Sequence, residues 1–526
     1  MSFDQIMRNL IQSFQSGKVI LFCGAGISIN SSLPLAWHFR ESILEQLGVS
    51  EPERNLIHKA ALPFESFVSI LQENSNIKAL LNIFNKGQPT LQHKFIAELV
   101  VAGKVKFIVT TNFDMLIERA LKARGWRANQ DYCIAYREQD FNKIDWENGK
   151  PTIIKIHGSV HDRQSMAITL RQVAGTIYSE SRKKIIDRVF CSGNHEYVLI
   201  TGYSCSDFFD ITPYTQMIQD GYKKVVLIEH DTEHSFVENI QVQAKRNPFT
   251  KFPNSYRIHD RTEALVESLW STILGMPNIT NGEGKDTLWQ ENVQRWSSST
   301  SVSRAAKQLI IGRIWMDIDN EKYRKEAAQY FQGAIDAAQI DIDGDRKREA
   351  FALSLLGNLT NSVPRLEEAL SISIEIKDKN LQASCLCSLI PAYLDMRQVS
   401  KAIDCGNEGL KIAEEIGDKS REARLHGNMG GVYWMIGKLD TAMAHLTKGY
   451  LISQEIGDKA EEGRALFNIA SAYDSKIWDN RAEKNYKQSR DIFLTYLGED
   501  HPNIKEIDNC LARLARKPRI IKFSDL

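Results

Sequence analysis

The 526-residue sequence has few cysteines, no excess of either charge and no long hydrophobic run. Its eight cysteines form no C-x-x-C pair, which argues against a zinc ribbon or a thioredoxin-type redox pair. Lys plus Arg and Asp plus Glu number 66 each, so no net field attracts nucleic acid. The apolar run Val19–Cys23 is too short for a signal-peptide core or a membrane span. We therefore expect a cytoplasmic protein with no membrane contact and no direct nucleic-acid binding.

The length and composition predict a globular protein of more than one domain. Domains cluster at roughly 100–200 residues and a single hydrophobic core stops growing near about 300, so this length indicates two or three domains. A hydrophobic fraction of 43% with 25% charged residues leaves enough apolar mass for sizeable cores. Globally disordered and collagen-like chains are therefore excluded.

The C-terminal half contains an internal repeat with a constant period. The strings EIKDK, EIGDK and EIGDK begin at positions 375, 415 and 455, and a tyrosine recurs at 393, 433 and 473. The pattern resembles the tetratricopeptide repeat in a longer version, with one helix pair per unit and a Gly-Asp turn between units. We predict an all-α solenoid of about five helix pairs from roughly residue 305 to 515; a non-repetitive helical bundle is the alternative.

The N-terminal half alternates short β-rich apolar runs with helical segments. The runs lie at residues 19–22, 107–109, 152–156, 197–200 and 225–228. Continuous apolar strands separated by helices indicate a parallel sheet that is covered on both faces. We predict a doubly wound, Rossmann-like α/β domain over residues 1–275, a linker rich in Pro, Asn, Gly and Ser over 276–304, and the helical repeats over 305–526.

Polar and glycine residues follow four of the predicted strands, at the edge where doubly wound sheets bind ligands. Glycines at such an edge let backbone N–H groups approach a pyrophosphate. Other interpretations stay open, because Asn112 and Asp114 could cap a helix and His157 could be a hydrogen-bonded core histidine. In chain order, the strand-end residues are Gly24, Ala25, Gly26, Ser28, Asn112, Asp114, His157, Gly202 and Ser204.

Together these segments resemble the ordered motifs of the sirtuin superfamily, and specifically the bacterial sirtuin-like NAD hydrolases of antiphage defence. The resemblance covers roughly residues 10 to 275 and implies a sirtuin-like fold with NAD as the substrate. It implies that His157 is the general base, that Asn112 holds the nicotinamide ribose or the attacking water, and that Asp114 holds the carboxamide. The matching strings are GAGIS at 24–28, TTNFD at 110–114, HG at 157–158 and GYS at 202–204.

The resemblance also assigns binding roles to the other strand-end residues. Glu229 stands where deacylating sirtuins have an asparagine after the adenosine-side strand, and would contact the ribose. The four-cysteine zinc module of the deacylases is missing, because residues 159–201 contain only Cys191, so no zinc or other metal is expected. The residues implied to line the phosphates and the nicotinamide pocket, or otherwise to bind the dinucleotide, are Gly24, Ala25, Gly26, Ser28, Gly202 and Ser204.

Three functions compete for this sequence. The leading hypothesis is an NAD⁺ glycohydrolase that releases nicotinamide and ADP-ribose and depletes NAD in abortive infection. A protein deacylase would use the same base but needs a peptide groove that the sequence does not show, and a nucleotide-sensing scaffold would need no catalysis. The repeats are expected to bind a protein partner or a phage-derived trigger, or to drive homo-oligomerisation.

Overall fold

The computed structural model of the chain describes residues 3–60, 62–167, 180–203, 205, 223–240, 248–275, 289–318, 321–340, 345–475, 479–497 and 502–516. The chain divides into two compact units, Met1–Val302 and Ser303–Leu526. In the described ranges, no helix combines the length and the apolar character that crossing a bilayer requires.

The strands described in the first unit are β1 Val19–Cys23, β2 Val105–Thr110, β3 Cys133–Ala135, β4 Thr152–Lys155, β5 Tyr197–Thr201, β6 Lys224–His230, β7 Phe236–Asn239 and β8 Tyr256–Asp260. They form a mixed, mainly parallel sheet in the order β3-β4-β2-β1-β5-β6-β8-β7. Among these eight described strands, only β7 runs antiparallel to its neighbour, β8. The five predicted runs form β1, β2, β4, β5 and β6, which confirms the doubly wound α/β fold.

The central strand β1 explains why these sequences form strands without polar alternation. All five of its residues are buried. Leu21 belongs to the core on the sheet face that the helices Leu91–Val101 and Thr262–Leu274 cover. Phe22, the next residue, packs on Phe190 with ring centroids 5.9 Å apart. Since neighbouring side chains point to opposite faces and both faces are covered, apolar residues are needed at every position.

Helices surround the sheet and extend the first unit beyond it. The helix Trp289–Ser297 lies within the predicted linker and packs on the first unit, where Trp296 Nε1 donates to Ser75 Oγ at 3.3 Å. The helices of this unit are Phe3–Gln15, Ala36–Gln46, Glu51–Lys59, Phe64–Asn74, Lys78–Leu81, Leu91–Val101, Leu116–Ala123, Glu138–Phe141, Glu180–Phe190, Thr262–Leu274 and Trp289–Ser297, with 3₁₀ turns at Ala25–Ser28, Asn82–Asn85 and Arg163–Ser165.

The second unit is a solenoid-like run of consecutive helices, as the repeat predicts. Five helix pairs are followed by one further helix in the ranges described, and the third, fourth and fifth pairs begin at equivalent positions of the sequence repeat. The pairs are Arg304–Ile318 with Arg324–Ile340, Arg346–Thr360 with Val363–Glu375, Lys379–Asp395 with Val399–Ile416, Lys419–Met435 with Leu439–Ile456, and Lys459–Ser475 with Asp479–Leu497; Pro502–Arg516 is the further helix.

The repeated Gly-Asp string ends one helix and begins the next. Gly417 and Gly457 have φ angles of 68° and 69°, the left-handed conformation that closes a helix. The Asp418 carboxylate accepts a hydrogen bond from the Arg421 backbone N–H at 3.0 Å, which caps the following helix. In the first copy, Lys377 takes the glycine's place with φ of 57°.

We expect opposite stability changes at these equivalent turns. Gly417→Lys should lower the free energy of unfolding by about 1 kcal/mol and Lys377→Gly should raise it by a similar amount, because a left-handed backbone strains every residue with a Cβ. A Cβ at Gly417 would meet no atom within 4 Å, so the effect there is one of backbone conformation alone. Urea unfolding of both variants measures it, and changes of the same sign would contradict the explanation.

Candidate active site

The strand order places the chain's change of winding direction at β1, between β2 and β5. Ligands of doubly wound sheets bind in the crevice that opens at such a switch point, outside the carboxyl ends of the strands. A cavity of about 1040 Å³ lies there. The residues that follow β1, β2, β4, β5 and β6 line it together, although they come from widely separated parts of the sequence.

Most of the predicted site residues reach this cavity. Gly24 is not among the lining residues, and Ser204 lies outside the described residues. The sequence analysis did not single out Gln92 and Arg257, which also line the wall, and it assigned no role to Arg40, which lines it too. The predicted residues that line the cavity are Ala25, Gly26, Ser28, Asn112, Asp114, His157, Gly202 and Glu229.

The Ser28 hydroxyl lies at the centre of a buried hydrogen-bond network. It donates to Asp114 Oδ2 at 3.0 Å and accepts from Asn112 Nδ2 at 3.3 Å. The other oxygen of Asp114, Oδ1, accepts the backbone N–H of Leu116, the first residue of the helix Leu116–Ala123, at 3.0 Å. Asp114 therefore satisfies one N–H at the start of this helix, although the N-cap residue is Met115, and it also lines the cavity.

His93 completes the network, and sequence reasoning missed it. Its Nδ1 accepts the Thr90 backbone N–H at 3.1 Å, so the ring proton is on Nε2, which points to Ser28 Oγ at 3.5 Å. Burial lowers the pKa of His93 to about 4, and the nearby charges of Asp114 and Lys155 act in opposite directions. The ring is therefore neutral near pH 7. The available signal was the spacing Thr90-x-x-His93 at a helix start, which has the form of a capping box.

The lowered pKa predicts that stability falls in acid. The unfolded chain binds a proton at His93 near pH 6.5 and the folded chain only near pH 4, so stability is present above about pH 6.5 and is lost as the pH falls towards 4. Between pH 7 and pH 5 the loss should be about 2 kcal/mol. His93→Gln can keep both hydrogen bonds but cannot titrate, so urea unfolding at the two pH values should show a smaller loss.

The comparison between wild type and His93→Gln isolates this histidine. Burial also lowers the pKa values of His195 and His426 to about 4, and both remain in the variant. An equal pH dependence in the two proteins would show that His93 contributes nothing to it.

Asn112 is oriented towards the cavity by the same network. Its amide nitrogen is held by Ser28, whereas its Oδ1 is buried and has no hydrogen-bond partner among the described residues. A buried carbonyl oxygen without a partner costs free energy, roughly 1–3 kcal/mol, unless a ligand or water satisfies it. Asn112, which lines the cavity, thus keeps an acceptor oxygen that no described residue uses.

His157 lies in the turn after β4, with only 8% of its surface exposed. Its carbonyl oxygen accepts the Ala167 backbone N–H at 2.8 Å, and its ring lies 6.1 Å from that of Phe113. Gly158 follows with φ of 88°, and a Cβ there would lie 2.1 Å from the Ser165 carbonyl oxygen. The HG string therefore needs glycine for a close backbone approach that fixes the turn carrying His157.

A buried ion pair connects the two segments that carry Asn112 and His157. Lys155 Nζ, at the end of β4, lies 2.9 Å from Glu118 Oε1, and it also donates to the Asp114 carbonyl oxygen. Lys155 is 1% exposed and Glu118 6%. Removing two charges from water costs free energy, which their close pairing offsets. The pair therefore fixes the turns after β2 and β4 relative to each other. The sequence signal was a lysine that ends an otherwise apolar strand.

The glycines of the first loop make a close backbone contact with the turn after β5. A Cβ at Gly24 or Gly26 would lie within 2.6 Å of Gly202 backbone atoms. The Gly24 N–H donates to the Thr201 carbonyl at 3.0 Å and the Gly26 N–H to the Gly202 carbonyl at 2.7 Å. These two N–H groups already have protein acceptors, so the glycines are explained by loop packing and not by hydrogen bonds to a phosphate.

Glu229 lies at the end of β6 with about half of its side chain exposed. Its Oε2 lies 3.2 Å from Arg257 Nε. Arg257 Nη1 in turn lies 3.2 Å from Glu238 Oε1. A ribose contact of Glu229 would therefore have to coexist with this ion pair. The sequence could not reveal it, because Arg257 comes from β8, a strand that sequence patterning did not predict.

The described residues include no group of three or more His, Cys, Asp or Glu side chains placed to hold a metal ion. Cys191, the single cysteine between the HG and GYS strings, has a pKa raised to about 11, chiefly by burial. A thiol in that state is a poor metal ligand at neutral pH, because the thiolate is the coordinating form.

Parts of the chain are similar to known proteins. Residues 106–246 match the family described as a SIR2-like domain. The chain is 24% identical over 155 residues to a protein named Defense-associated sirtuin 2 from Bacillus subtilis. That alignment covers 29% of this chain, and the chain spans only 14% of the relative's length.

Among solved structures, BtubC (BKLC) from P. vanneervenii is similar to part of the chain. The match has 20% identity and a TM-score of 0.32, and it covers 38% of this chain and 84% of that one. A likeness at this level says nothing about activity. The matched residues 106–246 include those that β2, β4, β5 and β6 bring to the cavity.

Proposed function

We propose that the first unit is an NAD⁺ glycohydrolase. In this reaction the bond between C1′ of the ribose and the nicotinamide nitrogen breaks, and its electron pair stays with the nitrogen. Nicotinamide leaves as a neutral molecule. A water oxygen then bonds to C1′, its proton passes to a base, and ADP-ribose is the second product. The cavity must therefore bind a carboxamide, direct one water and accept one proton.

The observation that carries the proposal is that Asn112 Oδ1, which has no partner among the described residues, shares a cavity wall with His157. An acceptor oxygen can align a water or a ribose hydroxyl, and a histidine is the side chain that exchanges protons near neutral pH. The Asn112 amide nitrogen donates to Ser28 Oγ at 3.3 Å, and this hydrogen bond orients the side chain. We assign Asn112 to orientation and His157 to proton removal.

Asp114 is the group that we assign to the nicotinamide carboxamide. A carboxylate has about four acceptor positions, and the protein uses one on each oxygen, from Ser28 and from Leu116. The remaining positions can accept the carboxamide N–H groups. The neutral His93 ring holds Ser28 without adding a positive charge that would destabilise the cation developing at C1′ as nicotinamide leaves.

Nicotinamide release from purified full-length protein tests the proposal. Release from NAD⁺ alone, with ADP-ribose formed in equal amount, is the expected result. Release that requires an acyl-lysine peptide would instead indicate a deacylase. Binding of NAD⁺ without release under either condition would indicate the nucleotide-sensing scaffold.

We further propose that the activity serves antiphage defence and that the helical repeats control it. The relative named Defense-associated sirtuin 2 supports the first part, and the repeat architecture, which offers an extended protein-binding surface, supports the second. The trigger would be a protein partner or phage component, or self-association of the repeats. A cytoplasmic location follows from this role as part of the same proposal.

Removing the repeats tests their role. The two units separate between Val302 and Ser303, so a chain that ends at residue 302 keeps the first unit complete. Cellular NAD is measured with and without phage challenge in the full and shortened chains. Loss of the infection response, or constitutive NAD loss, is expected from the shortened chain. A response equal to that of the full chain would exclude control by the repeats.

A further inference from the structure

Arg40 is a buried cation in the cavity wall with no role in the site described so far. It lies on the helix Ala36–Gln46, is 9% exposed and lines the cavity. Its Nε has no hydrogen-bond partner among the described residues, and Arg40 takes part in no ion pair within them. Its guanidinium carbon lies 5.8 Å from the centre of the Phe67 ring.

The positive charge of Arg40 is only partly balanced by the groups around it. Burial lowers its pKa, and the carboxylate of Glu65, also in the cavity wall, acts in the opposite direction with a smaller effect. Arg257, on the same wall, is by contrast held by Glu229 and Glu238. A guanidinium that is removed from water without a paired anion is costly, so an anionic ligand is the natural complement of Arg40.

Several donors of the glycine loop are already used within the protein. The N–H groups of Gly24 and Gly26 donate to β5 and the following turn, and the Ile27 N–H donates to the Gly24 carbonyl at 3.2 Å. The Ser28 hydroxyl proton is used by Asp114. These donors are not available to a doubly charged group in this cavity, and a guanidinium from outside the loop offers paired donors that match phosphate oxygens.

We propose that Arg40 binds the diphosphate of the dinucleotide, as the principal charged donor to that group. The inference rests on the proposed function in so far as it takes NAD⁺ as the ligand of the cavity. It assigns binding and not chemistry to Arg40, so it can be tested with a ligand that the enzyme does not cleave.

The test measures the affinities of the full-length protein for ADP-ribose, which carries the diphosphate, and for adenosine, which lacks it. Arg40→Gln should weaken ADP-ribose binding about 10- to 100-fold, because a charge-assisted hydrogen bond is lost. It should leave adenosine binding unchanged. Arg40→Lys keeps the charge but not the paired donors, so it should lie between wild type and Arg40→Gln. Added NaCl should weaken ADP-ribose binding less in Arg40→Gln than in wild type.

Arg124→Gln is the matched control, because Arg124 is half-exposed, pairs with Glu98 at 2.7 Å and does not line the cavity. Unchanged ADP-ribose affinity in Arg40→Gln, or equal losses for ADP-ribose and adenosine, would overturn the assignment. If Arg40→Gln fails to fold, Arg40→Lys decides by the same comparison. Wild-type protein that binds ADP-ribose but releases no nicotinamide would reject the proposed hydrolase and leave this inference standing.

Discussion

Replacing His157 by alanine should reduce nicotinamide release by about 10²–10⁴-fold and leave the fold intact. Removal of a general base typically costs this much, because water must then lose its proton unaided. The backbone contact of this turn, from the Ala167 N–H to the His157 carbonyl, does not depend on the side chain. Steady-state nicotinamide release gives the rate, and urea unfolding gives the stability.

His161→Ala is the matched control for this experiment. His161 lies slightly further along the same segment, is exposed and does not line the cavity, so its loss should leave the rate within about twofold of wild type. A well-folded His157→Ala with near-wild-type turnover would remove His157 from the mechanism.

Replacing Asn112 by alanine should lower kcat by about 10²–10³-fold. The substitution removes a cavity-wall acceptor oxygen that has no partner among the described residues, a loss comparable to that of a single preorganised polar group in other active sites. KM should change less than kcat, since we assign Asn112 to orienting the reacting water or ribose hydroxyl and not to holding the rest of the dinucleotide.

Asn142→Ala controls for a general effect of removing an amide. Asn142 is exposed, donates to the Glu138 carbonyl oxygen at 3.3 Å and does not line the cavity. Full activity in this variant and loss in Asn112→Ala is the expected pair. A rise in KM with kcat unchanged in Asn112→Ala would instead make Asn112 a binding residue, contrary to our assignment.

The architecture of both units could be predicted because its signals are local. A central parallel strand is buried on both faces, so β1, β2, β4, β5 and β6 leave uninterrupted apolar runs. The strands without such runs were missed. β3 has three residues, β7 is an antiparallel edge with no buried residue, and β8 has only two adjacent buried residues, flanked by partly exposed ones. Pairing with neighbours, and not their own composition, makes these segments strands.

The repeats were predictable for the same reason. Each unit needs a residue that tolerates a left-handed backbone and then a helix cap, and these two requirements return as the Gly-Asp string at the same position of successive repeats. The helix Trp289–Ser297 was not predicted, because it lies in a segment whose composition is typical of a linker. Its burial depends on Trp296 reaching Ser75, which lies far earlier in the chain, and no local pattern contains that contact.

That the strand-end segments gather at one cavity could be predicted from the sequence, because parallel strands deliver whatever follows them to the same edge of the sheet. What each of them has available for a ligand depends on the tertiary structure. The fold engages the N–H groups of Gly24 and Gly26, pairs Glu229 with Arg257, and leaves Asn112 Oδ1 and Arg40 Nε without hydrogen-bond partners among the described residues. Hydrogen bonds and ion pairs join atoms from distant strands, so the sequence shows the donors and acceptors, and only the folded chain shows which of them remain unused.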